Sequence, residues 1–138
     1  FGSDQDATIE YDEDGDDQLK IGGAVTAFTN AVVGKTDTDT SNSGSVTLDF
    51  DANQNFVLTL TGNVTLANPT TEKVGQSGFI VFIQDGTGSR TVTLGTDYET
   101  AAGAGLTLTA TASATDIVPY VVAASNRILL GTPQLALS

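Results

Sequence analysis

The chain contains no cysteine, no histidine, no methionine and no tryptophan. The first two absences exclude disulfide staples, thiolate nucleophiles, imidazole general bases and the nitrogen and sulfur ligands of most transition-metal sites. Basic residues are scarce as well: five Lys plus Arg face 17 Asp plus Glu, a formal net charge of -12. A chain of that charge repels nucleic-acid phosphates and anionic lipid headgroups, so neither nucleic-acid binding nor membrane insertion is expected. No apolar run approaches the roughly 18 residues of a membrane-spanning helix; the best window, 117–124, is short and holds Pro119. Because the sequence begins at Phe1 and has no methionine, residues are expected to precede it in the translated product. The absence of cysteine suits cytoplasm, virion and cell exterior equally and identifies no compartment.

At 138 residues the chain has room for one domain with a sizeable core and a small appendage. Eight of its acidic residues lie between Asp4 and Asp17, ahead of the first basic residue, Lys20. Around that acidic run, 7–11 and 18–21 both alternate apolar with polar side chains, which predicts a β-hairpin with an acidic tip and Gly15 in its turn. A third strand is expected at 24–28. The stretch 34–44 (GKTDTDTSNSG) reads as a polar linker. The expected organisation is therefore an acidic N-terminal hairpin or anchor over 1–33, a linker over 34–44 and a β-module over 45–138.

Within that module the apolar positions recur every second residue, as in Val46, Leu48 and Phe50 and again in Phe56, Leu58 and Leu60. Turn residues at 61–63 separate a further short strand, 64–66, and Asn68 and Pro69 close it. The run 79–83 (FIVFI) is apolar at every position, which predicts a central strand buried on both faces. Residues 85–89 then form a glycine-rich turn leading to a hairpin partner at 91–94, and 106–109, 117–122 and 127–130 supply more strands. Threonine and valine abound, no window shows a helical period, and no fixed repeat suggests a solenoid. The fold expected is all-β, an antiparallel β-sandwich or jelly-roll-like module carrying the acidic hairpin.

Three groupings invite a chemical reading. Residues 10–16 (EYDEDGD) imitate the start of a calcium loop, yet the twelfth position counted from Glu10 is Ile21 where a helix–loop–helix site needs glutamate. A non-helical Ca²⁺ site on Asp12, Asp14 and Asp16 is the one cofactor the sequence suggests, against the default of a solvated acidic turn. The glycines of 85–90 (DGTGSR) suggest an anion cradle, but a strand rather than a helix follows, so a hairpin turn with Arg90 paired to Asp85 or to a neighbouring chain is expected. Glu72, Asp97, Glu99 and Asp116 are isolated carboxylates that nothing pairs into a glycosidase couple, so no catalytic residues are assigned and no enzyme is expected. Tyr11, Tyr98 and Tyr120 suit sugar stacking or, more commonly, packing.

The segments TLTGNVTLANPT (59–70), VGQSGFIVFIQDGTGSRTVTLGTDY (74–98) and LTLTATASATDIVPYVV (106–122) resemble, in order and spacing, a module of tail-fibre and other virion surface proteins of tailed bacteriophages, many of them marine. ATIEYDEDGDDQLKI (7–21) resembles a second phage-associated element. The resemblance implies a non-enzymatic virion surface component, usually homotrimeric, whose partners are further copies of itself and other virion structural proteins. The sequence ends soon after the module and shows neither fibre shaft nor separate head, so a compact fibre base, spike or capsid decoration is expected. The alternatives are an adhesin module that binds host surface glycans through loops 84–90 and 96–105, with Tyr98 as platform, and a bacterial or archaeal surface-layer or pilus subunit.

Overall fold

The computed structural model describes residues 8–11, 19–22 and 25–137. The chain divides into two compact units, Phe1–Val33 and Gly34–Ser138. In the first, β1 (Thr8–Tyr11) and β2 (Leu19–Gly22) pair antiparallel with Ile9 opposite Ile21. Residues 25–28, expected as a third strand, have no regular structure.

The second unit is all-β. Its strands are β3 (Thr36–Thr47), β4 (Asn55–Ala67), β5 (Ser77–Gln84), β6 (Val92–Leu94), β7 (Tyr98–Glu99), β8 (Thr115–Ala124), β9 (Arg127–Leu130) and β10 (Gln134–Leu137). They form a single sheet in the order β3-β4-β5-β8-β9-β7, with β6 beside β4 and β10 beside β8. The sheet is mixed. β3, β4 and β5 run parallel, as do β4 with β6 and β7 with β9, whereas β8 is antiparallel to β5, β9 and β10.

The parallel ladder forces the sheet to curl. A straight strand the length of β3 would span roughly 36 Å at about 3.3 Å per residue. Yet β4 starts beside Thr36, and only residues 48–54 lead there from Thr47. Fully extended, that connection reaches about 28 Å; it is shortened further by a closed turn in which the Asn53 N–H donates to the Asp49 carbonyl at 3.2 Å. The strands must therefore bend, and the ladder slips register where they do, between Asp39 and Gly44 on β3, opposite residues 58–64 of β4. Asn42 fills the inside of the corner: it is buried, and its Nδ2 donates to the carbonyls of Asp39 and Thr59, both at 3.1 Å. The Thr61 hydroxyl donates back to the Asn42 carbonyl.

Several sequence expectations change here. Most of the segment read as a linker, 34–44, is β3, whose side chains are nearly all polar and exposed because it lies at the sheet's edge and turns only Asn42 fully inward. The turn expected at 61–63 is a corner inside one long strand. Strand 91–94 is not the hairpin partner of 79–83: β5 lies between β4 and β8, while β6 continues along the far half of β4. Residues 106–109 form no strand, although Leu106 and Leu108 pack against the core.

The curled inner face closes a sandwich-like core. Phe56, Leu58 and Leu60 of β4, Ile80 and Phe82 of β5, and Val118, Tyr120 and Val122 of β8 point into it. Phe50 stands edge-on to both Phe56 and Tyr120, with ring centroids 5.0 and 5.3 Å apart, the arrangement favoured by aromatic quadrupoles. Residues 79–83 are buried on one face only; Phe79 is 48% exposed on the other.

Candidate functional site

The motif 84–90 (QDGTGSR) gathers a cluster of polar contacts in the second unit. Alternation along β5 sends Ile80, Phe82 and then Gln84 inward, so a buried amide has to find partners there. It finds them on the backbone of Arg90: Gln84 Nε2 donates to the Arg90 carbonyl and the Arg90 N–H donates to Gln84 Oε1, each at 2.9 Å. The side chain thus imitates a strand neighbour and closes the loop at its base.

Asp85 holds the loop from within. Its Oδ1 accepts the N–H groups of Thr87 and Gly88 at 3.0 and 2.9 Å, and its Oδ2 accepts Arg90 Nε and Nη2 at 3.1 and 2.8 Å. The pairing expected of Arg90 and Asp85 is present, and the guanidinium, followed by the Gly88 N–H, holds the Asp85 carboxyl below the usual carboxylate range. Gly88 is buried with φ 75°, and a Cβ there would stand 2.5 Å from the Ala110 carbonyl oxygen and 2.7 Å from the Ala112 nitrogen. Backbone bonds from Ser89 N–H to the Ala110 carbonyl and from Ser113 N–H to the Asp85 carbonyl then seat the loop on residues 110–113. This backbone packs against residues 110–113 where a phosphate cradle would leave its N–H groups open.

The other motif residues do similar work. Asn63 Oδ1 accepts the Thr91 N–H at 3.1 Å, and Asn68 grips residues 96–97 through its Nδ2 bond to Thr96 Oγ1 and its Oδ1 bond from the Asp97 N–H. Gln76 Nε2 donates to the carbonyls of Phe50 and Asn53, both at 2.9 Å, tying the start of β5 to the turn before β4. Tyr120 donates its hydroxyl to the Gln54 carbonyl at 2.6 Å, and burial pushes its phenol up to about 12.

The four carboxylates considered for catalysis are dispersed among structural roles. Asp116 is buried and accepts Thr109 N–H at 2.6 Å, Thr109 Oγ1 at 2.8 Å and Ala136 N–H at 2.8 Å, so one side chain ties β8 to residues 107–110 and to β10. Glu99 forms a two-point pair with Arg127 at 2.8 and 3.1 Å, which lowers its pKa. Glu72 Oε1 accepts the Asn126 N–H at the tip of the β8–β9 hairpin, where Asn126 has φ 57°. The Asp97 N–H and side chain belong to the Asn68–Thr96 cluster.

Tyr98 is only 5% exposed, so it offers no face for a sugar to stack on. Burial, reinforced by the charges of Asp97 and Glu72, raises its pKa. An open groove of about 600 Å³ runs between β6 and residues 98–106, lined by Val92, Leu94, Tyr98, Glu99 and Leu106. Its one carboxylate, Glu99, is already held by Arg127. Asp12, Asp14 and Asp16, the calcium candidates, lie outside the described residues, as does Tyr11's side chain; among the described residues no acidic cluster is arranged to hold a metal. Nor does any described helix have the length and apolarity to cross a membrane.

The sequence readings missed Gln84, Asn42 and the threefold role of Asp116. Gln84 and Asp116 had a signal, since both stand at inward positions of strands whose other inward residues are apolar. Asn42 had none, because its strand shows no apolar alternation.

No curated protein and no solved structure matches the chain. A family model described as "Putative phage tail fibre C-terminal domain" matches residues 40–124, well over half of the sequence and nearly all of the sheet from β3 through β8. The chain therefore belongs to this family of phage tail-fibre C-terminal domains and is a phage structural protein.

Proposed function

We propose that the chain is a non-enzymatic component of a tailed-phage virion, a fibre, spike or capsid decoration displayed on the particle surface and acting through homo-oligomeric assembly. The observations that carry this reading are the family match over residues 40–124 and the fate of the 84–90 motif inside it: Gln84, Asp85, Gly88 and Arg90 all serve to close one loop of the sheet. A motif used that way maintains a shape, and a fibre domain works by its shape and surfaces. The acidic charge keeps the module from adhering to nucleic acid during packaging and to anionic membrane. Mass spectrometry of purified particles tests the reading. The chain should be recovered with the tail or capsid proteins in a fixed ratio; its absence from particles, with abundance in the infected lysate, would overturn it.

A further inference from the structure

The sheet has a second apolar face. Opposite the closed core, β5 turns Phe79, Val81 and Ile83 outward and β8 turns Ile117, Pro119 and Val121 outward, with Phe79 beside Pro119 and Val81 beside Ile117. Phe79 is 48% exposed and Val121 40%. A sheet with one solvated face alternates apolar with polar; apolar residues at both parities are the pattern of strands covered on both sides.

We propose that this outer face of β4, β5, β8 and β9 is covered by a second copy of the chain. The inference rests on the assembly reading above and names the surface that performs it. Charge selects the occupant. In a chain of net charge -12, two copies repel wherever carboxylates face each other. Yet the outward positions of β4 (Asn55, Val57, Thr59), of β5 from Ser77 to Ile83 and of β8 from Thr115 to Val121 carry no ionisable group. On β9 the face adds Arg127, which Glu99 of β7 neutralises, while Asp37 and Asp39 of the neighbouring edge strand β3 stand in register with the inward-facing Phe56 and Leu58. A basic partner would be drawn to the carboxylates elsewhere; the neutral apolar face is where an acidic chain can meet its own copy.

The size fits a weak association that many copies on one particle would reinforce: β4, β5 and β8, about 4.8 Å apart and about 23 Å long, with the four residues of β9 beside them, present roughly 400 Å² in projection, so two copies bury on the order of 800 Å².

The test uses the full chain and sedimentation analysis of wild type, Phe79→Asp and Val74→Asp. Val74 is an exposed apolar residue outside this face and controls for added charge. Wild type should sediment as an oligomer. Phe79→Asp should weaken association about 50-fold or more, from the apolar area it withdraws, with an unchanged circular dichroism spectrum. Val74→Asp should keep the wild-type mass. If Phe79→Asp retains that mass, the face is not the interface, while the assembly reading survives. If wild type is a monomer, assembly and face fall together, and the face is covered by something other than a second copy. Should Phe79→Asp not fold, the absence of native cysteine permits oxidation of Ser77→Cys, which lies on the face, against Thr93→Cys on β6. Disulfide dimers from the first alone support the interface; equal or no cross-linking of the two overturns it.

Discussion

Replacing Gln84 with alanine removes a side chain that substitutes for a missing strand. Gln84 is buried and makes both of its 2.9 Å bonds to the backbone of Arg90. Its loss orphans one N–H and one C=O. A buried orphan costs about 1–3 kcal/mol, and because Arg90 is half-buried some hydration returns, so the expected total is about 2–4 kcal/mol. For a unit of this size that lowers the melting temperature by roughly 10–20 °C. With no tryptophan present, urea unfolding followed by far-ultraviolet circular dichroism is the suitable assay. Gln84→Glu sharpens the test. It keeps the acceptor for the Arg90 N–H but turns a carboxylate oxygen toward the Arg90 carbonyl, so burial and the facing acceptor raise its folded pKa. Protonation restores the donor; the variant's deficit relative to wild type should therefore be largest at neutral pH and shrink as pH falls through that raised value. A Gln84→Ala protein within about 0.5 kcal/mol of wild type, the behaviour of an ordinary surface substitution, would refute the clamp.

Gly88→Ala should cost about 3 kcal/mol or more, since the new Cβ meets the Ala110 carbonyl and Ala112 nitrogen and φ is positive; urea midpoints check this, with Gly86→Ala, whose Cβ meets nothing nearby, as the mild control. Asp116→Ala orphans donors on Thr109 and Ala136 and should cost about 2–4 kcal/mol, with hydrogen exchange at 134–137 accelerating before the rest of the sheet. Asp85 has a folded pKa below its unfolded value, so its contribution is present above the unfolded pKa and lost as pH falls through the folded one. Between neutral pH and the acid range, stability of wild type should therefore fall more steeply than that of Asp85→Asn, as measured by denaturant midpoints at successive pH values.

Much of the inner face could be read in advance, because Phe56, Leu58, Leu60, Ile80 and Phe82 advertise it by alternation. Strand direction could not: alternation is the same for parallel and antiparallel neighbours, and the short connections 48–54 and 68–76 resemble hairpin turns until the curl they demand is considered. β3 was hidden because an edge strand that buries one asparagine has the composition of a linker. In 106–109 the alternation is real and Leu106 and Leu108 do face the core, yet no strand lies alongside to complete a ladder. The order and spacing of the 59–98 motifs pointed to the phage module, while the reason for each residue lay in long-range backbone contacts that no local pattern records. Tyr98 took the commoner of the two fates open to it: the fold packs it into the core, where the adhesin alternative needed an exposed ring.

The central claim is the proposal that the module is a surface part of a tailed-phage virion. Gold-labelled antibodies against residues 34–138, applied to intact particles and viewed by electron microscopy, test it most directly. Label on the outside of intact particles, at fibre, tail spike or capsid, is the predicted result. Particles that carry the chain yet stay unlabelled until disrupted would place it inside the virion and contradict the claim.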